Sequence, residues 1–135
     1  IILGAVGNSA IGVKNTSQWA YDLDNAANQK FVKAFRAKYE RTPTLYASQG
    51  YDTANLILSA LKKAQPSDKS AFRSALKSAD FESVRGSFKF GSNNHPIQNI
   101  YVREVVAVNG KKPTNKLVGV AISDLQDAFA SQCSL

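Results

Sequence analysis

Side chains able to perform acid–base or nucleophilic chemistry are few in this chain, and they stand alone. His95, the only histidine, lies in a polar stretch before Pro96 with no serine or cysteine nucleophile motif beside it. Cys133 is the only cysteine, so the sequence lacks the ligands of an ordinary four-coordinate zinc site. Asp22 and Asp24 precede a helical pattern, where capping and the helix dipole account for paired acids. We therefore predict no enzymatic activity, no metal and no cofactor.

Binding chemistry has better candidates, the first of which are Ser17 and Trp19. They follow a predicted short buried strand at 10–13, and ligands of open α/β sheets lie beyond the carboxyl ends of strands. An indole ring offers a flat apolar wall with one N–H donor, and hydroxyl and amide groups can orient a polar substituent. The alternative is that Trp19 packs the following helix against the sheet, and both interpretations remain open at this point.

Periodic apolar residues predict several helices. Phe31, Phe35 and Tyr39 recur every four residues and predict a helix over about 25–39, capped by Asp22 or Asp24. An extended segment at 42–43 leads into a helix that runs to about residue 64, with apolar residues at 54, 57, 58 and 61. Another helix runs to about residue 79 from a cap at 67 or 68, and a last short helix follows a cap at 123 or 124, with apolar residues at 125 and 129.

Alternating residues between the third helix and the end of the chain predict antiparallel strands. Phe88 and Phe90 lie on one face of a short strand, 91–94 breaks it, and a second strand follows with apolar residues at 100, 102 and 105. Asn109 and Gly110 form the strongest turn signal and connect this strand to one at 116–122. This order of elements predicts an α/β or α+β fold without fixing its topology.

Two motifs resemble a known family. Residues 42–61 (TPTLYASQGYDTANLILSAL) and 81–106 (FESVRGSFKFGSNNHPIQNIYVREVV) resemble the C-terminal part of the type I periplasmic solute-binding proteins of ABC transporters, the branched-chain amino acid class. The first motif is a P-x-x-Y-A-x-x-G-Y-D-A pattern, with Thr53 in place of the last alanine, and the second is G-x-F-x-F. The resemblance continues through 19–35 and 115–133, and SQW at 17–19, HPIQ at 95–98 and the AxxC ending are most similar to the members that bind aromatic carboxylates.

The resemblance implies an α/β fold with two lobes around a cleft. On this interpretation residues 1–135 are the C-terminal third, contributing part of lobe two and hinge-crossing segments, and the N-terminal portion is absent from this chain. The implied function is extracytoplasmic: the protein captures an aromatic acid or a branched-chain amino acid by closing its lobes and delivers it to a membrane permease. The implied location is periplasmic, or extracellular and tethered to the membrane. The sensor domain of a receptor or regulator is the alternative function.

The resemblance also assigns roles to the beginning of the second helix. Tyr46 aligns with a position that carries an aromatic pocket wall in amino-acid-binding members, and Gln49 lies one turn further, close to the hinge. Tyr51 packs behind the helix or joins the pocket, while Asp52 caps the helix. The predicted ligand-binding residues are Ser17, Trp19, Tyr46, Gln49 and Tyr51.

Charge and composition restrict the possible partners. The formal net charge is +7, but the basic residues are spread along every segment without interleaved aromatic residues, so we predict a solvated basic surface and no nucleic-acid partner. Cys133 pairs with a cysteine in an absent portion of the polypeptide, forms an intermolecular bridge or remains a free thiol. The predicted partners are a small-molecule ligand, the permease and the remainder of the polypeptide.

Overall fold

A computed structural model describes residues 2–109 and 111–133. The elements in chain order are α1 (Ile2–Val6), a 3₁₀ turn (Gly7–Ala10), β1 (Lys14–Ser17), α2 (Ala26–Tyr39), α3 (Leu45–Leu61), α4 (Lys69–Lys77), β2 (Phe88–Phe90), β3 (Pro96–Val108), β4 (Lys111–Leu125) and a 3₁₀ turn (Ala130–Gln132). The predicted mixture of helices and sheet is confirmed. None of the helices described is long and apolar enough to cross a membrane.

The sheet is built around β3. One edge of β3 pairs with β2 through residues 96–98 and with β1 through residues 101–104, and β4 pairs along the other edge. All of these pairings are antiparallel. Ile97, Tyr101 and Val105 point to the buried face of β3, as expected for even spacing along a strand.

The first strand lies further along the chain than 10–13. Ala10 ends the 3₁₀ turn, Gly12 takes a left-handed conformation with φ +88°, and Val13 is 53% exposed. The strand that forms, β1, consists of polar residues, so its apolar content could not reveal it. Arg103 fixes it from β3: its Nε and Nη2 donate to Asn15 Oδ1 at 3.0 and 2.6 Å. Ser17 and Trp19 were predicted as ligand contacts because ligands of parallel α/β sheets lie beyond the carboxyl ends of the strands. That rule does not apply to β1, which is antiparallel to β3.

Two of the predicted helix caps were wrong. Asn25 caps α2 by accepting from the Asn28 backbone N–H at 2.8 Å, while Asp22 accepts from the Leu117 backbone N–H in β4. Helix α3 already begins at Leu45 with Thr44 as its cap, so Asp52 lies inside the helix and caps nothing there. The predicted cap at residue 68 is confirmed, because the Asp68 carboxylate accepts from the Ala71 N–H at 2.9 Å.

The apolar pattern of α3 predicts that its large apolar side chains are buried, but the structure buries a different side of the helix. Its buried side carries small and polar residues, namely Ser48, Asp52, Ser59 and Ala60. Its large apolar residues are substantially exposed: Ile57 at 42%, Leu58 at 55% and Leu61 at 42%. The outer side of β4 is similar, with Val118, Val120 and Ile122 about half exposed. The described part of the chain therefore leaves two apolar surfaces uncovered.

The last short helix that was predicted after residue 123 or 124 is not formed, because strand β4 takes its first residues and a 3₁₀ turn at Ala130–Gln132 follows. The 88–90 strand and the hairpin between β3 and β4 are confirmed, but β4 continues to Leu125, which pairs with Gln98, and Phe129 is 67% exposed. Gly110 of the predicted turn lies outside the described residues. Cys133 is exposed as a free thiol.

An aromatic core holds α2 against the sheet. Its buried members are Trp19, Ala20, Leu23, Phe31, Val32, Val84 and Tyr101. At its centre lies a polar residue, Asn28, which is fully buried. Asn28 Oδ1 accepts from Trp19 Nε1 at 2.8 Å, and its Nδ2 donates to the carbonyls of Ala20, Tyr21 and Leu23 at 3.1–3.4 Å.

We expect Asn28→Ala to lower the free energy of unfolding by about 3 kcal/mol, because it leaves the indole N–H and several carbonyls without partners in the interior. Urea denaturation measures this change. Gln29→Ala, at the neighbouring exposed position, is the control and should cost less than about 1 kcal/mol. Equal costs for the two variants would contradict the central role of Asn28.

Candidate functional site

Ser17 and Trp19 lie in the interior. Ser17 is the last residue of β1, and its hydroxyl accepts from the Trp19 backbone N–H at 3.4 Å. Trp19 is 3% exposed, its ring contacts Phe31 edge-on at 6.3 Å between centroids, and its one donor is occupied by Asn28. Trp19 therefore packs the following helix against the sheet, which was the alternative to a role in ligand binding. In this conformation neither side chain presents a surface to a ligand.

Tyr46 and Gln49 lie on a different surface, on the first two turns of α3. Tyr46 is 79% exposed and Gln49 is partly exposed. Gly50 follows Tyr46 by one turn on the same face, and a Cβ placed there would meet nothing within 4 Å. Glycine inside a helix costs about 1 kcal/mol relative to alanine. The helix surface one turn beyond Tyr46 therefore carries no side chain that would exclude another molecule.

The beginning of α3 also provides electrostatic attraction for an anion. The Thr44 hydroxyl accepts the Ala47 N–H, and the first turn contains no acidic residue. The partial positive charge at a helix N-terminus therefore has no carboxylate of its own helix to compensate it. This surface combines an aromatic ring, an amide and a positive helix end, which suits a small molecule with an apolar body and a negative group.

Tyr51 faces inward from α3. It is partly buried, and its ring lies 4.7 Å from that of Phe31, tilted by 36°. Phe31 also contacts Trp19, so the two predicted residues Trp19 and Tyr51 join one aromatic core on either side of Phe31. The five predicted residues thus separate into an interior group (Ser17, Trp19 and Tyr51) and an exposed pair (Tyr46 and Gln49).

Asp52 organises the loop before β2. Its carboxylate accepts from the Ser83 hydroxyl at 2.6 Å and the Val84 N–H at 3.0 Å, and it lies 3.4 Å from Arg85 Nε. Arg85 in turn donates from Nη1 to Gln98 Oε1 at 2.9 Å. Burial raises the pKa of Asp52, against the lowering effect of these partners, and burial lowers the pKa of Arg85.

Gly86 completes this loop, and its role shows why the second sequence motif begins with glycine. Its φ is +92°, a conformation that side chains disfavour, and a Cβ there would lie 3.1 Å from the Tyr101 hydroxyl. That hydroxyl donates to the Arg85 carbonyl at 2.5 Å. Residues Asp52 and Gly86 of the two motifs therefore serve one purpose, which is to fix the loop between α4 and β2 against α3 and β3.

Sequence reasoning missed two residues, Asn28 and Arg85. Asn28 had a usable signal, since it lies three and four residues before Phe31 and Val32 on the inward side of α2. Arg85 had none, because only the fold brings it to Asp52. His95 stays at the polar hairpin tip, with Nδ1 3.4 Å from the Asp127 carboxylate. Among the described residues there is no group of three or more potential metal ligands.

Comparison with known proteins agrees with this architecture. The family model "Periplasmic binding protein" matches residues 1–112. A Leu/Ile/Val-binding protein homolog of Brucella abortus is 32% identical over 119 residues, which cover 84% of this chain and 30% of that protein.

Solved structures give the same result. A solute-binding protein of an R. palustris ABC transporter, in complex with benzoate, superposes with a TM-score of 0.84 at 34% identity, covering 99% of this chain and 36% of that one. A solute-binding protein of Rhodopseudomonas palustris BisB5, in complex with 3,4-dihydroxybenzoic acid, gives 0.73 at 27% identity, covering 94% and 35%. The chain spans about a third of the length of the proteins it matches.

The chain belongs to the periplasmic binding protein family, whose members bind solutes and are not enzymes. The similarity to these structures confirms the predicted type I fold, of which the chain represents a part.

We expect the free energy of unfolding to depend on pH through Asp52. Because burial raises the pKa of Asp52 above its ordinary value of 3.8, the folded state holds this proton more tightly than the unfolded state. The resulting stabilisation is fully present below pH 3.8 and is lost as pH rises through the folded pKa. Urea denaturation at a series of pH values measures it.

The variant Asp52→Asn should remove this part of the pH dependence, since an amide does not titrate in this range. Asp24→Asn, at an exposed position, is the matched control and should retain the wild-type slope. If both variants follow the wild-type curve, the environment described for Asp52 is wrong.

Proposed function

We propose that this chain is the C-terminal portion of the solute-binding component of an ABC transporter, and that this component binds a small organic acid outside the cytoplasm. The observation that carries the proposal is the exposed Tyr46 beside Gly50 at the N-terminal end of α3. The ring provides a wall, the missing side chain provides room, and the helix end favours a carboxylate. The relatives bound to benzoate and 3,4-dihydroxybenzoic acid support an aromatic acid as ligand.

A branched-chain amino acid is the alternative ligand, and the similarity to a Leu/Ile/Val-binding homolog supports it. The two ligands share a carboxylate and an apolar body, but only the amino acid carries an ammonium group. The first turn of α3 has no acidic residue to pair with an ammonium group. This arrangement favours the aromatic acid over the amino acid.

The mechanism that we propose is closure of two lobes around the ligand, followed by delivery to a membrane permease. The protein would do this in the periplasm, or outside the cell while tethered to the membrane. A ligand that makes contacts only in the closed form shifts the equilibrium towards closure, and no covalent step is needed. The exposed position of Tyr46 suits this mechanism, because an open cleft leaves its wall in solvent. A sensor domain with the same fold would use the same contacts without a permease.

We expect Tyr46→Ala to weaken benzoate binding about tenfold, the loss that corresponds to one aromatic contact. Isothermal titration calorimetry on the polypeptide that includes the preceding portion measures the dissociation constants for benzoate and leucine. The control is Phe129→Ala, which removes another exposed ring and should leave both constants unchanged. Equal affinity for benzoate in wild type and Tyr46→Ala would reject Tyr46 as a ligand contact.

The apolar outer side of α3 supports a second part of the proposal, that the preceding portion of the polypeptide packs there. Ile57 and Leu61 lie four residues apart and are each 42% exposed. They lie on the same side of the helix as Tyr46, further along the chain. This side of α3 would therefore contact the ligand at its beginning and the preceding portion of the polypeptide near its end. The relatives, about three times as long as this chain, contain additional residues to cover it.

We expect the double variant Ile57→Lys, Leu61→Lys to change the stability of this chain by less than about 1 kcal/mol, because both side chains are already half in solvent. It should nevertheless abolish co-purification with the separately expressed preceding portion, since two charges would be buried at the contact. Ser70→Lys with Ser74→Lys on exposed positions of α4 adds the same charge as a control. Undiminished co-purification of the α3 variant would show that this surface is not the contact.

A further inference from the structure

A second cleft, which Tyr46 does not line, lies between the C-terminal half of α2, α1 and residues 108 and 112–114 of strands β3 and β4. Its volume is about 960 Å³, at the upper end of the usual range for small-molecule sites. Tyr21, Val108 and Pro113 form apolar parts of its wall. Neither Tyr46 nor Gln49 lines it, so its properties can be tested independently of the proposed function.

Two guanidinium groups at this cleft each lie over an aromatic ring. The Arg36 guanidinium carbon lies 5.3 Å from the centre of the Tyr21 ring, and its Nη2 donates to the Thr42 hydroxyl at 3.2 Å. The Arg41 guanidinium lies at the same distance from the Phe35 ring. A guanidinium group that lies over a ring can still present edge N–H donors to an anion. Arg36 uses one of these donors for Thr42 and keeps its others.

The end of α2 is shaped to bring these groups together. Glu40 follows the last helical residue in a left-handed conformation with φ 53°, a conformation that non-glycine residues rarely adopt. Its N–H still bonds to the Arg36 carbonyl at 2.9 Å. The chain therefore turns sharply at Glu40, and Arg41 and Thr42 return to the side of the helix that carries Arg36.

In the part of the chain that the structure describes, the cations of this cleft have no carboxylate partner in an ion pair. The ion pairs found within residues 2–109 and 111–133 are Lys63–Asp80, Arg85–Asp52 and His95–Asp127. Arg36, Arg41 and Lys112 line the cleft together with a single acid, Glu40. Attraction to the C-terminus of the α2 dipole explains cations on that helix, but not Lys112, which lies on β4.

We propose that this cleft binds an organic carboxylate with an apolar body, at a second site separate from Tyr46. The carboxylate lies between the guanidinium groups of Arg36 and Arg41, which match its planar geometry, and Lys112 adds charge from the opposite wall. The apolar body contacts Tyr21, Val108 and Pro113. Glu40 opposes binding because its own carboxylate competes for the same donors.

The test is a titration of the ¹⁵N-labelled protein with benzoate, followed by NMR. We expect chemical shift changes at residues 21, 36, 41 and 112, and weaker binding of benzyl alcohol, which has the ring without the charge. Inorganic phosphate, which has the charge without the ring, should also bind more weakly. If either reference compound binds as tightly as benzoate, or if the shifts do not map to this cleft, the proposal is overturned.

Variants separate the contributions of the charges. Arg41→Gln should weaken benzoate binding at this cleft about tenfold, the usual effect of losing a charge-assisted hydrogen bond, and Lys112→Gln should weaken it less. Glu40→Gln should strengthen it. Arg73→Gln on α4, an exposed position outside the cleft, is the matched control and should leave the affinity unchanged.

These results also distinguish the two sites. Tyr46→Ala should leave the affinity of the cleft unchanged, so loss of the proposed function at α3 would not remove this binding. Spectral dispersion of each variant reports whether it folds, and Glu40→Gln keeps the test decisive even if an arginine variant does not fold. Unchanged affinity in both Arg41→Gln and Glu40→Gln would overturn the proposal.

Discussion

The structure depends on one buried amide. Among the residues that the structure describes, Asn28 is the only side chain that connects α2 both to the indole of Trp19 and to the backbone of the segment before the helix, through bonds to three carbonyls. A buried polar group is stable only if its bonding capacity is used, and an apolar residue here would leave those carbonyls without donors. The hydrogen bonds therefore fix both the rotation of α2 and the path of residues 19–23. Since Arg36 and Glu40 follow on the same helix, the position of the basic cleft follows from this contact.

Helix α3 shows how one element can serve structure and binding on different sides. Its inner side bonds through Asp52 to Ser83 and Val84, which holds the loop before β2 in place by polar contacts rather than by apolar packing. Its outer side is therefore free to carry Tyr46 at one end and Ile57 and Leu61 further along. An apolar surface of this kind is costly in water unless another part of a protein covers it. The exposure of these apolar side chains is explained if they contact a part of the protein beyond the described residues.

The sequence predicted the elements better than the sides they face. The helix over 25–39, the 88–90 strand and the long hairpin were found because aromatic and β-branched residues recur with the period of each element. The strand β1 was missed because its residues are polar and its stability comes from pairing with β3 and from Arg103. The apolar period of α3 was real, but period alone says only that the residues share a side, not what that side contacts. The spacing of Trp19 and Tyr46 in the sequence likewise does not show where each one lies. Only the fold buries Trp19 in the core and leaves Tyr46 exposed at the beginning of α3.

The β3–β4 hairpin connects the features of this chain mechanically. Strand β3 has 13 residues, and at about 3.3 Å per residue it is long enough to extend across a whole small domain. Tyr101, near its middle, bonds to the loop that Asp52 holds, while Val108, at its far end, lines the basic cleft. Between these points Arg103 bonds to Asn15, and Asn15 donates to Asn115 on β4 at 2.7 Å, so three strands are tied together at one level. The distance between the loop at Asp52 and the cleft at Val108 is therefore set by the hairpin itself. A movement of one relative to the other requires the hairpin to bend, and the register shifts in its pairing between 98 and 101, between 102 and 103 and between 106 and 108 are the places where it can do so.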